Sequence, residues 1–280
     1  MKRRILFLVA LILTLALALS SCGGKPTVEI SEDGYWVING EKTDVKAEGE
    51  KGEQGERGEK GEKGDTGAAG GGGDKNPQGL AFYPKDDGTY VVEVGYAKYL
   101  SEITIPATYN GRAVTEIGEE AFAWCESLTS VTIPDSVISI GEYAFLDCTS
   151  LASVTIPSSV TSIGETAFSG CTSLTSVTIP SGVTSIGAHA FSGCTSLASV
   201  TIPNSVTTIG EYAFLGCTSL ASVTIPSSVT SIGSEAFRNC TSLTSIKFRG
   251  TEEQWEAITE GILLGYNIGS YTITYNYDGE

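Results

Sequence analysis

The chain has 280 residues, of which 41% are hydrophobic and 18% charged, and its net charge is −16 even though Lys2, Arg3 and Arg4 sit at its start. A nucleic-acid binder neutralises phosphates with clustered Lys and Arg, so this balance excludes nucleic acid as a partner class. The acidity is spread along the chain, where it favours solubility.

Behind the basic start lies a 15-residue apolar run, Ile5 to Leu19, broken only by Thr14. A membrane-spanning helix needs about 20 apolar residues, whereas a secretory signal uses a basic start, about 7–15 apolar residues and a small-residue cleavage site. The run fits the signal. Leu19-Ser20-Ser21-Cys22 resembles a bacterial lipobox. That resemblance implies removal of residues 1–21 and lipid attachment at Cys22, hence a membrane-tethered protein of the cell envelope, on the outer membrane and exposed at the surface.

Residues 22–48 read as a tether followed by a small β-unit. Val28 and Ile30 alternate with polar neighbours, Asp33-Gly34 makes a turn, and Tyr35 to Ile38 is strand-like. Asn39-Gly40 is a hairpin signal, because both residues tolerate positive φ. Glycine then recurs at every third residue from Gly49 to Gly73, giving eight complete Gly-X-Y triplets with charged flanks such as Lys60-Gly61-Glu62. Only glycine fits the axis of a collagen triple helix, and the tract would span roughly 75 Å at about 3 Å per residue. Two readings stand: a homotrimeric stalk over residues 49–73, or a solvated charge-patterned spacer.

Internal repeats dominate the rest, as a solenoid over 74–250 and a cap over 251–280. Ile-Gly recurs at 117, 140, 163, 186, 209 and 232, and Ala-Phe at 121, 144, 167, 190, 213 and 236, always 23 residues apart. A fixed period of about 20–29 residues with L-x-x-L-x-L spacing signals leucine-rich repeats. In the coil starting at Leu151, Leu151, Val154 and Ile156 are the inward residues of a short strand and Pro157 stops it. Val160, Ile163, Ala167, Phe168 and Cys171 line a helical or irregular return. Gly164 is expected to allow a tight bend, and Glu165 suits the start of a helical turn. One coil cannot offset its own ordering entropy, so stacked coils share their faces. Cys125, Cys148, Cys171, Cys194, Cys217 and Cys240 also follow the 23-residue period. A residue recurring once per coil keeps one environment, which predicts a buried column of free thiols rather than a disulfide framework.

The unit L-x-x-V-x-I-P-x-x-V-x-x-I-G-x-x-A-F-x-x-C, matched from Leu128 to Cys240, resembles the BspA-like class of leucine-rich repeats. It departs from the plain repeat consensus in holding serine after the strand, as at Ser159. The lead-in Asp87-Gly88-Thr89-Tyr90, Ile103-Thr104-Ile105-Pro106 and Tyr109-Asn110-Gly111 looks familial too, in a first coil that is five residues longer. The resemblance implies cell-surface adhesion to host matrix proteins and other bacteria.

Both ends need caps, since open coil faces expose apolar surface. Thr251-Glu252-Glu253-Gln254 is a capping box. Trp255, Ile258 and Ile262 follow at helical spacing and are expected to cover the last coil. Tyr271, Ile273 and Tyr275 alternate with polar residues, which predicts a closing strand.

Little supports catalysis, a metal or a cofactor. His189 is the one histidine and occupies a variable repeat position also held by Tyr143, Thr166 and Tyr212. No close Cys-x-x-Cys pair offers a zinc site. Glycines 70–73 lack the Lys-Ser/Thr of a phosphate loop. Glu119, Glu142, Glu165 and Glu211 form an acidic stripe, read as a solvated, dipole-matched row in preference to one that gathers calcium. The candidate binding residues are the outward hydroxyls of the strands, Ser153, Thr155, Ser176, Thr178, Ser199 and Thr201, expected on a concave, uncharged lattice. Three functions fit: an adhesin binding host or bacterial surface protein or glycan, a self-associating structural spacer, or a binder of an ordered surface such as ice or crystalline polysaccharide.

Overall fold

The computed structural model describes residues 28–30, 35–38, 41–46, 78–261 and 263–278. The signal segment, Cys22 and the 49–73 tract lie outside them, as does residue 262. Two compact units divide the chain, Met1–Gly67 and Ala68–Glu280.

In the first unit, strands Val28–Ile30, Tyr35–Ile38 and Glu41–Lys46 form an antiparallel sheet in sequence order. Val28 pairs with Ile38, and a bulge separates the pairings of Tyr35 and Val37.

The second unit is a β-solenoid of eight coils, counted by the strands of its long ladder: 102–104, 130–132, 153–155, 176–178, 199–201, 222–225, 245–248 and 272–274. The ladder is parallel and in register, Ser on Ser, Val on Val and Thr on Thr in its central strands. The Ser-Val-Thr triplet builds it because alternate side chains point to opposite faces. Val154 is buried while Ser153 and Thr155 are exposed. Proline follows Ile156 and, having no N–H, ends the pairing.

The return path differs from one of its sequence expectations. It opens with a second short parallel ladder, Ser139–Ile140, Ser162–Ile163 and their equivalents, and then runs through turns rather than a helical turn. The donors that a helix would use within itself bond between coils instead: Tyr143 N–H to the Glu165 carbonyl (3.0 Å), Phe145 to Ala167 (2.7 Å) and Asp147 to Ser169 (2.8 Å). Thr166, His189 and Tyr212 adopt φ of +58°, +55° and +54°, which no α-helix contains. Gly164 is needed for close approach rather than for a bend. A Cβ there would lie 2.5 Å from the Glu142 nitrogen of the preceding coil.

Between the ladders the core is a set of one-residue columns. Phe122, Phe145, Phe168, Phe191, Phe214 and Phe237 are fully buried and stack face to face, with successive centroids 5.1–5.6 Å apart. The six repeat cysteines are free and buried beside them. Cys171 Sγ donates to the Phe145 carbonyl at 3.2 Å, and the same link recurs from Cys148 to Cys240.

Both ladders are interrupted between the same two coils. The long ladder divides after 153–155 and the short one after 162–163. Elsewhere the amides of Thr161, Thr207 and Thr230 donate to the preceding coil, and so do those of Gly164, Gly210 and Gly233. Among the described residues the equivalent bonds from Thr184 and Gly187 are missing. The coils stay bonded along the Phe edge, through Thr166 to Ala188 and Phe168 to Ala190, both at 2.9 Å.

The ends are closed differently. At the start, the hairpin Ala81–Pro84 with Tyr90–Glu93 covers the first coil. The Gln78 side chain accepts from the Thr104 N–H (2.8 Å) and donates to the Glu102 carbonyl (3.4 Å), occupying the edge of the long ladder. At the far end, helix α1, Glu252–Thr259, begins in the expected capping box, with Gln254 N–H on Thr251 and Thr251 N–H on Gln254. Trp255 is buried against Phe248, and the closing strand Thr272–Thr274 adds the last rung.

Candidate binding surface

The outward face of the long ladder brings the sequence-predicted residues together. Ser153, Thr155, Ser176, Thr178, Ser199 and Thr201 are all exposed. Threonine stands above threonine through Thr132↔Thr155 and then Thr178↔Thr201↔Thr224. Outward positions from Ser130 to Thr224 hold only serine and threonine, and charge appears at the ends, at Glu102 and Lys247.

Other hydroxyls of the solenoid are committed to holding coils together. Thr172, Thr195 and Thr218 each donate to the carbonyl 23 residues earlier (3.2–3.3 Å). Ser159, Ser205 and Ser228 donate to valine carbonyls of the preceding coil (2.6–2.8 Å). No side-chain hydrogen bond among the described residues involves the six lattice hydroxyls, which leaves their donors and acceptors facing solvent.

The loop row on the return edge is a different surface. His189 stacks on Tyr212 with centroids 4.9 Å apart, and the row is half-buried. No side-chain hydrogen bond reaches His189 among the described residues, so no acid–base pair is assembled there. Glu119, Glu142, Glu165 and Glu211 lie along this edge. Among the described residues no group of three or more His, Cys, Asp or Glu side chains is placed to hold a metal. Burial raises every repeat thiol, Cys125 to about 11 and Cys148, Cys194 and Cys240 to about 12, which keeps them protonated and poor nucleophiles at neutral pH.

Two features went unnoticed in the sequence. Tyr96, ahead of the first coil, and Trp124, on its return path, are 77% and 46% exposed. Trp124 occupies the repeat position held by Asp147, Gly170, Gly193 and Gly216, and that departure was the available signal. A cleft of about 520 Å³ also opens at the C-terminal cap between Trp255, Thr259, Leu264 and Tyr271, lined by no charged side chain. All of its lining residues lie between 255 and 271, within the cap. Among the described residues no helix is long and apolar enough to cross a membrane.

A coil of 23 residues, a parallel ladder of L-x-x-V-x-I strands and a shared apolar interior define a leucine-rich-repeat solenoid. The chain belongs to the BspA type leucine rich repeat family, whose model matches residues 96–192 and 161–278 with six copies. Among solved structures it is similar to a leucine rich cell surface protein of Faecalibacterium prausnitzii A2-165, at 38% identity and a TM-score of 0.49, over 62% of this chain and 54% of that one. It is also similar to a leucine-rich repeat protein of Eubacterium ventriosum, at 25% identity and a TM-score of 0.53, over 71% of this chain and 52% of that one. The chain thus spans about half the length of these two relatives. No curated protein matches it.

Proposed function

We propose that this is an exported surface protein, lipid-anchored through Cys22, whose solenoid binds a protein or glycan of a host or bacterial surface in adhesion. The observation that carries the reading is the contrast between committed and free hydroxyls. The solenoid uses many of its serines and threonines to bond coil to coil, yet leaves Ser153, Thr155, Ser176, Thr178, Ser199 and Thr201 exposed and unspent on one regular face. Extended solenoid faces are the surfaces through which repeat proteins bind. Apart from that lattice, the tether supports the reading: a lipobox-like Cys22 fixes the chain to an envelope, and the 49–73 tract, trimeric or single, spaces the solenoid from it.

The test is the triple variant Thr155→Lys, Thr178→Lys and Thr201→Lys. Exposed substitutions away from packed features change stability by within about 0.5 kcal/mol each, so melting stays near native. Capture on immobilised glycans and matrix proteins is lost. Undiminished capture by this variant would reject the lattice as the site. For the anchor, radiolabelled palmitate marks the wild type and not Cys22→Ala.

A further inference from the structure

The lattice carries a narrower assignment, which rests on the reading just given. We infer that its ligand is a neutral polysaccharide presented as an ordered, extended surface, rather than a protein. Four observations converge on it.

The first is composition. Protein interfaces are anchored by Trp, Tyr, Arg and Met, and serine and threonine are under-represented among their energetic centres. The outward positions here are serine and threonine alone, with exposed Ala152, Ala198 and Ala221 beside them. This is a poor anchor set for a protein. It is a suitable one for a sugar ring, whose hydroxyls need donors and acceptors and whose C–H face needs small apolar groups such as threonine and alanine methyls.

The second is charge. A protein ligand brings Lys, Arg, Asp and Glu, and covering those with hydroxyls leaves charges desolvated without counter-charges. From Ser130 to Thr224 the ladder's outward positions offer none. A neutral polysaccharide brings no charge to desolvate, whereas a polyanion meets a chain of net charge −16.

The third is the repeat. A single neutral hydrogen bond contributes only about 0.5–1.5 kcal/mol net. A face of identical weak contacts therefore becomes useful only against a ligand that repeats as well, where each contact raises the effective concentration for the next. Coils recur at about the 4.8 Å spacing of paired strands. An extended polysaccharide presents its hydroxyls once per sugar unit, a repeat of the same order.

The fourth is readiness. The lattice hydroxyls have no intramolecular partners to give up, and their strands are held by backbone pairing, on both sides for 199–201 and on one side each for 153–155 and 176–178.

The experiment uses the full chain in mild detergent, sedimented with microcrystalline cellulose, crystalline chitin or an insoluble β-1,3-glucan, and in parallel with fibronectin- and collagen-coated beads. The expected result is retention by at least one insoluble polysaccharide, with its soluble oligosaccharides competing poorly. The triple lysine variant should be retained at least about tenfold less, as loss of multivalent contact requires, and the Thr155→Ser, Thr178→Ser and Thr201→Ser variant, which keeps the hydroxyls and loses the methyls, should be retained less than wild type but clearly more than the lysine variant. If no polysaccharide retains the chain but a coated bead does so in a lysine-sensitive way, the polysaccharide assignment falls and the lattice stands as a protein site. If neither is sensitive to the lysines, both fall.

Discussion

The Ser159 hydroxyl donates to the Val137 carbonyl of the preceding coil at 2.7 Å, and the corresponding place 23 residues on is Gly182, which has no hydroxyl to give. Ser205 and Ser228 restore the link in later coils. The missing staple coincides with the interruption of both ladders, so one joint of the solenoid is held by the bonds along its Phe edge together with those from Thr175 to Ala152 and Ser196 to Thr172. A Cβ at residue 182 would sit 2.9 Å from the Val160 carbonyl oxygen, so glycine also lets this segment lie close against the preceding coil.

Hydrogen exchange tests this joint. Amides open locally with free energies set by their own contacts. Thr184 and Gly187 should exchange faster than Thr161 and Gly164 on one side and Thr207 and Gly210 on the other. Equal protection along the whole row would mean that the joint is as tight as the rest.

The aromatic column should be the main source of stability. Phe168 lies between Phe145 at 5.1 Å and Phe191 at 5.6 Å and is fully buried. Removing a buried phenylalanine costs about 3–5 kcal/mol. Because coils contact only their neighbours, Phe168→Ala should also divide the melt into two transitions, seen by calorimetry. A single transition at the wild-type temperature would contradict this.

The thiol column makes stability fall in alkali. Burial pushes Cys148, Cys194 and Cys240 up from 9.0 to about 12. Unfolded thiols ionise above pH 9 while folded ones stay protonated, so the folded state holds more protons between pH 9 and 12 and loses stability across that window. The stability is complete below the unfolded value. Replacing these three cysteines by alanine should flatten the slope, whatever it does to the absolute stability, as followed by urea titration at stepped pH. Native protein should resist alkylation at neutral pH and expose all six repeat thiols on denaturation.

The repeat architecture was legible because every inward position, from Val154 to Cys171, recurs with one period, and a period reports packing directly. The capping box at Thr251 was legible because its partners are three residues apart. The second ladder at Ser162–Ile163 was not, since two residues carry no alternation of their own and pair only because the coils stack. The left-handed φ at Tyr143 and His189 was hidden for a like reason: bonds between coils impose it on residues with no intrinsic preference for it. At the surface, the sequence showed which hydroxyls point outward. It could not show that Thr172 and Ser159 spend theirs on a neighbouring coil while Thr155 and Thr178 do not, because that distinction depends on carbonyl positions one coil away.

The claim that the ligand sits on the long ladder is tested most directly by labelling. The six repeat thiols are buried, so on a Cys22→Ala background a single introduced cysteine reports alone. Thr178→Cys lies in the lattice and Glu165→Cys on the exposed return edge. Maleimide labelling is timed with and without the polysaccharide or bead that captures the wild type. The account predicts slowed labelling at Thr178→Cys and an unchanged rate at Glu165→Cys. Protection at Glu165→Cys alone, or at neither position while capture persists, would contradict it.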